Sequence, residues 1–344
     1  MIHIGIIGCG KIAQTRHIPE YKENKNACIT GVYDLNQDRA NKIADDLGCK
    51  SYCSYEELLK DESIDGVSVC TANYAHAEIV VEALKAGKHV LCEKPMATNL
   101  EDCRKMINAA KDTGRILMIG QNQRLTAVHK KAKEFLEEER IGKVLTFRSA
   151  FGHSGPENWS IDQGKGSWFF DKKLAFMGAM ADLGIHKTDL IQFLLDSKIS
   201  AVSAYMGTLD KTDTEGNPIQ LDDNAICIYE LENGCVGTVT ASWTYYGEED
   251  NSTILYGTNG IMRIYNDPTY PLIVELRTGE KVYYQMPAMQ TNENQTKSEV
   301  IDTFINGILE NDGTILSGES VFHAMEAVFA AQESAKQGKR ISLL

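Results

Sequence analysis

The segment from Met1 to Asp34 contains the pattern that most restricts the possible folds of this chain. An apolar strand is followed by a glycine-rich turn, a helix, a second apolar strand and an acidic residue. Gly8, Gly10 and Ala13 occupy the small positions of a G-x-G-x-x-G/A pattern, which permit a tight turn, close approach to a pyrophosphate and close helix packing. Asp34 lies where a carboxylate can bind an adenosine ribose 2′-hydroxyl. The alternative is an ordinary α/β turn with Asp34 as a loop residue.

The rest of the first 122 residues continues this alternation of strand and helix. Short apolar runs lie at His3–Gly8, Cys28–Tyr33, Gly66–Thr71, His89–Cys92 and Ile116–Gly120. Strands that are buried on both faces and separated by helices predict a doubly wound parallel sheet. We therefore predict an α/β Rossmann domain over residues 1–122. Pro19 interrupts the first helical pattern, so we expect a kink or break there.

The pattern changes after Lys143 to segments rich in β-branched and aromatic residues. These segments are Val144–Phe151, Ile199–Leu209, Ala225–Leu231, Val236–Tyr246, Ser252–Tyr256 and Val282–Met286. Asn233-Gly234 and Asn259-Gly260 are hairpin turn signals. One helix is expected at 178–195 and a helical region at 297–336. The sequence predicts an α+β domain over residues 123–344 with a large, mostly antiparallel open sheet, whose C-terminal helix can pack back on the first domain.

Composition and charge exclude several classes of protein. A chain of 344 residues can build two full cores, and its 43% hydrophobic and 24% charged residues are typical of a globular protein. The net charge of −13 argues against a nucleic-acid partner. No apolar stretch is long enough to cross a bilayer, and no secretory signal precedes the first strand. We expect a cytoplasmic protein whose nine cysteines are reduced thiols.

Two polar clusters directly follow strands of the first domain. Thr71, Asn73 and His76 follow one strand, where ligands of open α/β sheets bind, although Thr71 or Asn73 could instead cap a helix. Lys94 follows the next strand, between Glu93 and Pro95. A lysine beside a nicotinamide can hold a substrate hydroxyl and favour its alkoxide. The alternative is a salt bridge between Glu93 and Lys94.

A third cluster lies in the predicted helix of the second domain. Asp182 and His186 lie four positions apart and therefore share a helical face, with Asp189 on the same side. A histidine can take the proton of an alcohol while hydride leaves its carbon, and an aspartate can orient the sugar or the imidazole. The alternatives are a surface pair or a zinc site, for which no third ligand has suggestive spacing.

Together these clusters resemble the glucose–fructose oxidoreductase/inositol dehydrogenase/MocA family over essentially the whole chain. The similar elements, in order, are Gly8-Cys9-Gly10-Lys11-Ile12-Ala13, His17-Ile18-Pro19, Thr71-x-Asn73-x-x-His76, Glu93-Lys94-Pro95, Asn122-x-Arg124, Trp168 and Gly178-x3-Asp182-x-Gly184-x-His186-x2-Asp189. The Glu-Lys-Pro element followed by Asp-x3-His is far more specific than the glycine turn.

The resemblance implies an oxidoreductase that transfers hydride between NAD and a secondary alcohol of a sugar, sugar derivative or cyclitol. It implies a catalytic set of Lys94, Asp182 and His186. The predicted cofactor-binding residues are Gly8, Gly10, Lys11, Ile12, Ala13, Asp34, Thr71, Asn73, His76, Glu93, Lys94, Gln121 and Trp168. The predicted substrate-binding residues are Lys94, Arg124, His153, Trp159, Trp168, Asp182 and His186, with Tyr246 or its neighbours. No metal is required.

Charge favours NAD over NADP, because Asp34 would repel a 2′-phosphate and Arg39 is expected to be exposed on the following helix. Each tryptophan could instead be a core residue. The resemblance also implies a homodimer or homotetramer formed through the C-terminal sheet. Two other functions remain open: a non-catalytic NAD- or sugar-sensing regulator on the same fold, and an NAD-assisted glycosidase.

Overall fold

The computed structural model describes residues 1–287 and 297–343, which form two compact units. The first unit holds Met1–Asn122 together with residues 297–322, and the second holds residues 123–287 and 323–343. The sequence prediction placed all of 123–344 in the second domain. Residues 297–322 cluster with the first unit instead, and residues 288–296 and 344 of that predicted domain lie outside the described residues.

The first unit is built on a parallel sheet. Within Met1–Asn122 the strands are β1 (Ile2–Ile7), β2 (Ala27–Tyr33), β3 (Lys50–Ser51), β4 (Gly66–Val69), β5 (His89–Cys92) and β6 (Leu117–Ile119). Their order in the sheet is β3-β2-β1-β4-β5-β6, and every neighbouring pair is parallel. This arrangement confirms the doubly wound fold. The chain order reverses between β1 and β4, which is where such sheets bind ligands.

The helices of this unit pack against the sheet or against one another. They are α1 (Ile18–Glu23), α2 (Gln37–Leu47), α3 (Tyr55–Lys60), α4 (His76–Lys85), α5 (Leu100–Thr113) and, from the later segment, α9 (Val300–Glu310). Side chains cap several of them: Asn36 and Asn99 each accept a backbone N–H from the first turn of α2 and α5. The helix α10 (Gly318–Gln337) spans the division between the two units.

The break expected at Pro19 is a change of helix type. Ala13–His17 form a π-helical turn, and α1 begins directly after it with proline in its first turn. Proline is tolerated there because the first N–H groups of a helix have no intrahelical acceptor. The turn leaves His17 as the last residue before α1, and its side chain is fully buried.

The second unit contains a mixed, mostly antiparallel sheet. Within residues 123–287 and 323–343 the strands are β7 (Val144–Gly152), β8 (Ile199–Gly207), β9 (Asn224–Leu231), β10 (Val236–Ser242), β11 (Thr253–Gly257), β12 (Gly260–Ile264), β13 (Leu272–Leu276), β14 (Lys281–Tyr284) and β15 (Ile341–Ser342). The sheet order is β14-β13-β12-β11-β7-β10-β9-β8-β15. Of these pairs, β7 with β10 is parallel and the others are antiparallel. The predicted open sheet is confirmed.

The helices of the second unit include α6 (Ala127–Glu137), α7 (Lys172–Ala175) and α8 (Ile185–Leu195). A π-helical turn at Met180–Gly184 leads directly into α8. All residues from Met180 to Ile191 are buried, so this segment is a core element rather than a surface helix. Among the described helices of both units, none is long and apolar enough to span a membrane.

Candidate functional site

The glycine turn of the first unit is built for close backbone approach. Gly8 has a φ of 93°, and a Cβ at this position would lie 2.7 Å from the backbone carbonyl of Cys70. By contrast, a Cβ at Gly10 would meet no atom within 4 Å, so open space lies beside the turn. The helix that follows begins at Lys11, and no side chain caps the start of its π turn at Ile12. This geometry fits a dinucleotide pyrophosphate at a helix N-terminus.

Asp34 lies directly behind this turn and is mostly buried. Its Oδ2 accepts the Cys9 N–H at 2.7 Å, and its Oδ1 accepts the Asn36 N–H at 2.8 Å. The expectation that Arg39 is exposed is wrong. Arg39 Nη1 lies 3.6 Å from Asp34 Oδ1, because a long side chain in the first turn of α2 can reach back to the strand end. The Asp34 carboxylate therefore holds the glycine turn through Cys9 and also faces the Arg39 guanidinium.

The three predicted residues after β4 take different roles. Thr71 Oγ1 is buried without a hydrogen-bond partner among the described residues, so this hydroxyl fits a contact to a polar cofactor. Asn73 is buried at the start of a short 3₁₀ turn. The ring nitrogens of His76 lie 2.8 Å from the Pro95 carbonyl and 3.1 Å from the Thr71 carbonyl. His76 therefore ties together the two strand ends that carry the predicted site.

Glu93 and Lys94 follow β5 at the same edge of the sheet, and the Lys94–Pro95 peptide bond is cis. Glu93 Oε1 lies 2.8 Å from His17 Nε2, and Glu93 Oε2 accepts the Lys94 backbone N–H at 3.2 Å. Burial alone would raise the pKa of the Glu93 carboxyl, but the His17 hydrogen bond and the charges of Arg16 and Lys94 lower it to about 2. Glu93 is thus a fixed anion beside Lys94. It binds the His17 ring as well as the backbone of Lys94.

Gln121 follows β6 and has the most unusual environment of the predicted cofactor set. Its side chain is 1% exposed, and both the Oε1 and the Nε2 atoms are buried without a hydrogen-bond partner among the described residues. A buried amide without partners is costly, so the Gln121 amide fits a group that hydrogen-bonds a bound cofactor. Thr71 and Gln121 together fit a polar cofactor lying across the strand ends.

In the second unit, Asp222 organises the helix that carries Asp182 and His186. The backbone N–H groups of Gly178 and Met180 donate to the Asp222 carboxylate at 2.8 and 2.7 Å. Burial raises the pKa of Asp222 to about 6, although these two hydrogen bonds act in the opposite direction. Asp222 is therefore an N-terminal anchor of this segment, which motif spacing did not reveal because its partners are distant in sequence.

Asp182 and His186 are both buried and lie near a second histidine. Asp182 Oδ2 accepts the indole N–H of Trp243 at 3.0 Å and lies 3.9 Å from His153 Nε2. His153 Nδ1 accepts the Gly155 N–H at 3.0 Å, which assigns the proton of a neutral imidazole to Nε2, towards Asp182. The Phe151 ring lies 6.2 Å from His153 and 5.9 Å from His186.

Aromatic side chains continue from this group through the segment after β7. The ring of Trp159 lies 6.0 Å from His153 and 5.1 Å from Phe169. Trp168 stacks on Phe169 at 3.9 Å, and Phe169 in turn contacts Trp243 edge-on. The indole Nε1 of Trp159 is buried without a partner among the described residues. His153, Trp159, Trp168, Asp182 and His186 thus belong to one cluster, to which the structure adds Trp243.

Two predicted substrate residues have other partners. Arg124 donates two hydrogen bonds to the Asp189 carboxylate, one of them from Nε at 2.7 Å, and both side chains are buried. The Tyr246 hydroxyl donates to Asp210, while the Lys211 ammonium lies over its ring. These contacts account for Arg124 and Tyr246 without a substrate. Among residues 1–287 and 297–343, no group of three acidic, histidine or cysteine side chains could hold a metal ion.

The candidate residues are divided between the units: Lys94 with the glycine turn in the first, and Asp182 with His186 in the second. The first unit therefore holds the predicted dinucleotide-binding turn and Lys94. The second unit holds Asp182 and His186 beside a group of aromatic side chains. Trp243, Asp222 and His17 are the residues that sequence reasoning did not place among the functional ones. The His17-Ile18-Pro19 element was the available signal for His17.

Comparisons with known proteins match both the first and the second unit to one family of oxidoreductases. The model of an oxidoreductase family with an NAD-binding Rossmann fold, GFO_IDH_MocA, matches residues 2–121, and the GFO/IDH/MocA C-terminal domain matches residues 129–263. A myo-inositol 2-dehydrogenase of Thermotoga maritima is 27% identical over 99% of this chain and 98% of its own length. A 2,7-anhydro-N-acetylneuraminate hydratase of Escherichia coli is 30% identical over 77% of this chain and 68% of its own.

The structural comparison extends over both units. The solved structure of a levoglucosan dehydrogenase in complex with NADH and levoglucosan has a TM-score of 0.86 and 25% identity, covering 99% of this chain and 98% of that one. The predicted resemblance, the oxidoreductase class and the NAD-binding domain are thereby confirmed. The chain belongs to the GFO/IDH/MocA family of NAD-binding oxidoreductases.

Proposed function

We propose that this protein is an NAD-dependent dehydrogenase acting on a secondary alcohol of a sugar, sugar derivative or cyclitol. The observation that carries this proposal is the buried group of Asp182, His153 and His186, bordered by aromatic rings. Aromatic faces pack against the C–H faces of sugars, while the polar groups between them bind hydroxyls. The names of the inositol and levoglucosan dehydrogenases that resemble this chain support the same substrate class.

The proposed reaction divides the work among three side chains. Lys94 donates a hydrogen bond to the reacting hydroxyl and stabilises negative charge on its oxygen as it develops. His186 takes the hydroxyl proton, and Asp182 orients the substrate. The bound nicotinamide supplies the acceptor for the hydride that leaves the same carbon, so that the alcohol becomes a carbonyl.

We propose that the first unit binds NAD through the glycine turn and Asp34, the residues that the sequence indicates. The turn from Gly8 to Ala13 holds the pyrophosphate, and Asp34 accepts a ribose hydroxyl. Thr71 and Gln121, whose buried polar atoms lack partners, bind the remaining polar groups of the cofactor. Arg39 offsets part of the Asp34 charge, yet Asp34 still stands between Arg39 and the glycine turn, so we propose a preference for NAD over NADP.

A second candidate function uses NAD without net oxidation. The Escherichia coli relative is named a hydratase, and a transient oxidation that acidifies a neighbouring C–H would serve elimination, hydration or glycoside cleavage with the same residues. Such a reaction would consume substrate with no net formation of NADH. A sensor without catalysis would bind NAD and a sugar and convert neither.

We also propose a homodimer or homotetramer formed through the second unit's sheet. Tyr205, Ile226, Ile228 and Val236 are large apolar side chains that are exposed on strands β8, β9 and β10. Ile226 is paired with Tyr205 across β8 and β9, and Ile228 and Val236 line one groove with Leu145, so apolar side chains lie side by side on this sheet. Areas of this kind on a sheet commonly mark contacts between copies of a chain.

The experiment that tests the proposed function is a screen for NADH formation with NAD and a panel of inositols, aldoses and glycosides. We expect absorbance of the reduced nicotinamide to grow with at least one polyol and to be abolished in Lys94→Ala. Lys165→Ala, at an exposed lysine of the second unit that contacts Thr212, is the control and should retain turnover. Tight NAD binding without turnover of any polyol would contradict the proposal in favour of a sensor.

A further inference from the structure

A chain of buried hydrogen bonds runs through the first unit from α1 to the strand end that carries Lys94. The Tyr21 hydroxyl lies 2.7 Å from Ser68 Oγ, which lies 3.1 Å from His17 Nδ1. His17 Nε2 then lies 2.8 Å from Glu93 Oε1. With the imidazole proton on Nε2, Tyr21 donates to Ser68, Ser68 to His17, and His17 to Glu93, so every donor has an acceptor.

This chain joins three elements that serve different parts of the site. His17 ends the π turn that follows the glycine turn, Ser68 lies in β4, and Glu93 follows β5. His17 and Ser68 have no exposed surface, and Glu93 is 5% exposed. Because these groups are inaccessible to substrate, they cannot act as a nucleophile and base. Their geometry instead fixes the pyrophosphate-binding helix relative to the end of β5.

We propose that His17 is a positioning residue for hydride transfer: it holds the Glu93 carboxylate, which in turn fixes the Lys94 backbone and keeps a negative charge beside that lysine. This inference rests on the proposed function of Lys94. Glu93 Oε2 accepts the Lys94 N–H, so a shift of the carboxylate moves the start of the Lys94 side chain. A displacement of about 1 Å at a reacting group can cost about 10²-fold in rate.

The electrostatic surroundings of Glu93 make the role of His17 measurable. Arg16 Nη1 lies 3.8 Å from Glu93 Oε1, and Lys94 also stabilises the anion. Cys70, His76 and Cys92 lie within electrostatic range of the carboxylate. Burial opposes ionisation, so the loss of the His17 donor should raise the pKa of Glu93 from about 2 towards its usual value, although Arg16 and Lys94 still lower it.

The test compares His17→Leu, which removes both ring nitrogens, with His17→Gln, whose amide can donate to Glu93 and accept from Ser68. We expect His17→Leu to lower kcat about 10²-fold with little change in the affinity for NADH measured by fluorescence titration. His17→Gln should restore most of kcat. Leu58→Ala is the control, because it removes a fully buried side chain of the same unit without touching the network.

Calorimetry across pH provides a second readout that needs no turnover. In the wild type, ionised Glu93 contributes stability at pH values above its unfolded pKa near 4. In His17→Leu, the raised pKa removes much of this contribution, because the folded and unfolded pKa values of Glu93 become more alike. The Tm difference between wild type and His17→Leu should therefore widen as pH rises from about 2 to 5, whereas the difference for Leu58→Ala should stay constant.

The two arms separate this inference from the proposed function. A wild type that oxidises no polyol would contradict the proposed function, while the pH dependence of the Tm difference would still show whether His17 keeps Glu93 ionised. The inference is overturned if His17→Leu keeps kcat within about twofold of an active wild type, or if its Tm difference does not change with pH.

Discussion

At the scale of single residues, Trp243 is the least expected neighbour of the proposed catalytic residues. Its indole N–H donates to Asp182 at 3.0 Å, and its side chain is fully buried. A hydrogen bond to a charged group contributes about 1.5–3 kcal/mol. We therefore expect Trp243→Phe to lower kcat/KM for the sugar substrate about 10-fold or more. Steady-state kinetics would measure it, with Tyr229→Phe as control, because that change removes a buried hydroxyl that contacts Thr188 instead.

His186 should carry a larger share of the rate. General acid–base catalysis contributes about 10²–10⁴-fold, so His186→Ala should lower kcat by that order at saturating substrate. His323→Ala provides a matched control, because this histidine pairs with Glu326 on α10 at a half-exposed position. A His186→Ala variant with near-wild-type turnover would show that another group accepts the proton.

Sequence reasoning found residues whose neighbours are close along the chain and missed those whose partners are distant. Asp182 and His186 share a helical spacing that can be read directly, and Asp34 follows its strand at a recognisable place. Trp243 meets Asp182 only because β10 ends beside the π turn, and Asp222 reaches Gly178 across a long loop. Arg39 was predicted to be exposed, because its contact with Asp34 depends on the side-chain rotamer and not on the spacing of the two residues in the sequence.

At the scale of elements, the close approach at Gly178 determines where the helix that carries Asp182 and His186 begins. A Cβ at Gly178 would lie 1.9 Å from the backbone oxygen of Asp222, whereas a Cβ at Gly184 would meet mainly the flexible end of Met180, at 2.4 Å. We expect Gly178→Ala to displace the helix start, lower kcat at least 10-fold and reduce stability by several kcal/mol. Gly184→Ala should reduce kcat and stability much less. Urea unfolding and steady-state kinetics of both variants would measure the difference.

Equal losses of activity and stability in Gly178→Ala and Gly184→Ala would contradict this account.

The strands and helices were largely predictable from the sequence, but the turns that join them were not. Apolar runs and hairpin signals such as Asn233-Gly234 depend on local chemistry. The two-residue strand β3 and the π turns at Ala13–His17 and Met180–Gly184 depend on packing, so no periodicity in the sequence indicated them.

At the scale of the whole molecule, we expect the buried Lys187 to make the stability of the second unit depend on pH. Burial lowers the pKa of Lys187 to about 7, although Asp250 and Glu249 oppose this shift. Since the unfolded lysine titrates near 10.4, the unfolded chain binds more protons between these values, and stability rises with pH by up to about 1.4 kcal/mol per unit. Lys187→Met should lack this rise.

Tryptophan fluorescence can follow this transition separately, because Trp159, Trp168 and Trp243 all belong to the second unit. Urea unfolding at pH 7, 8 and 9 should give a stability difference, wild type minus Lys187→Met, that increases with pH. A difference that is constant over this range would mean that Lys187 remains charged when folded, held by its hydrogen bond to the Asn251 carbonyl and by the nearby carboxylates.

The most direct test of the central claim follows the transferred hydrogen itself. Inositols and aldoses carrying deuterium at the carbinol carbons are incubated with NAD and the wild-type protein, and the recovered nicotinamide is analysed by mass spectrometry. The account predicts one deuterium in the reduced cofactor from at least one polyol, formed about 10²–10⁴-fold more slowly by His186→Ala. Reduced cofactor without label, or no reduced cofactor from any polyol, would contradict hydride transfer from a secondary alcohol.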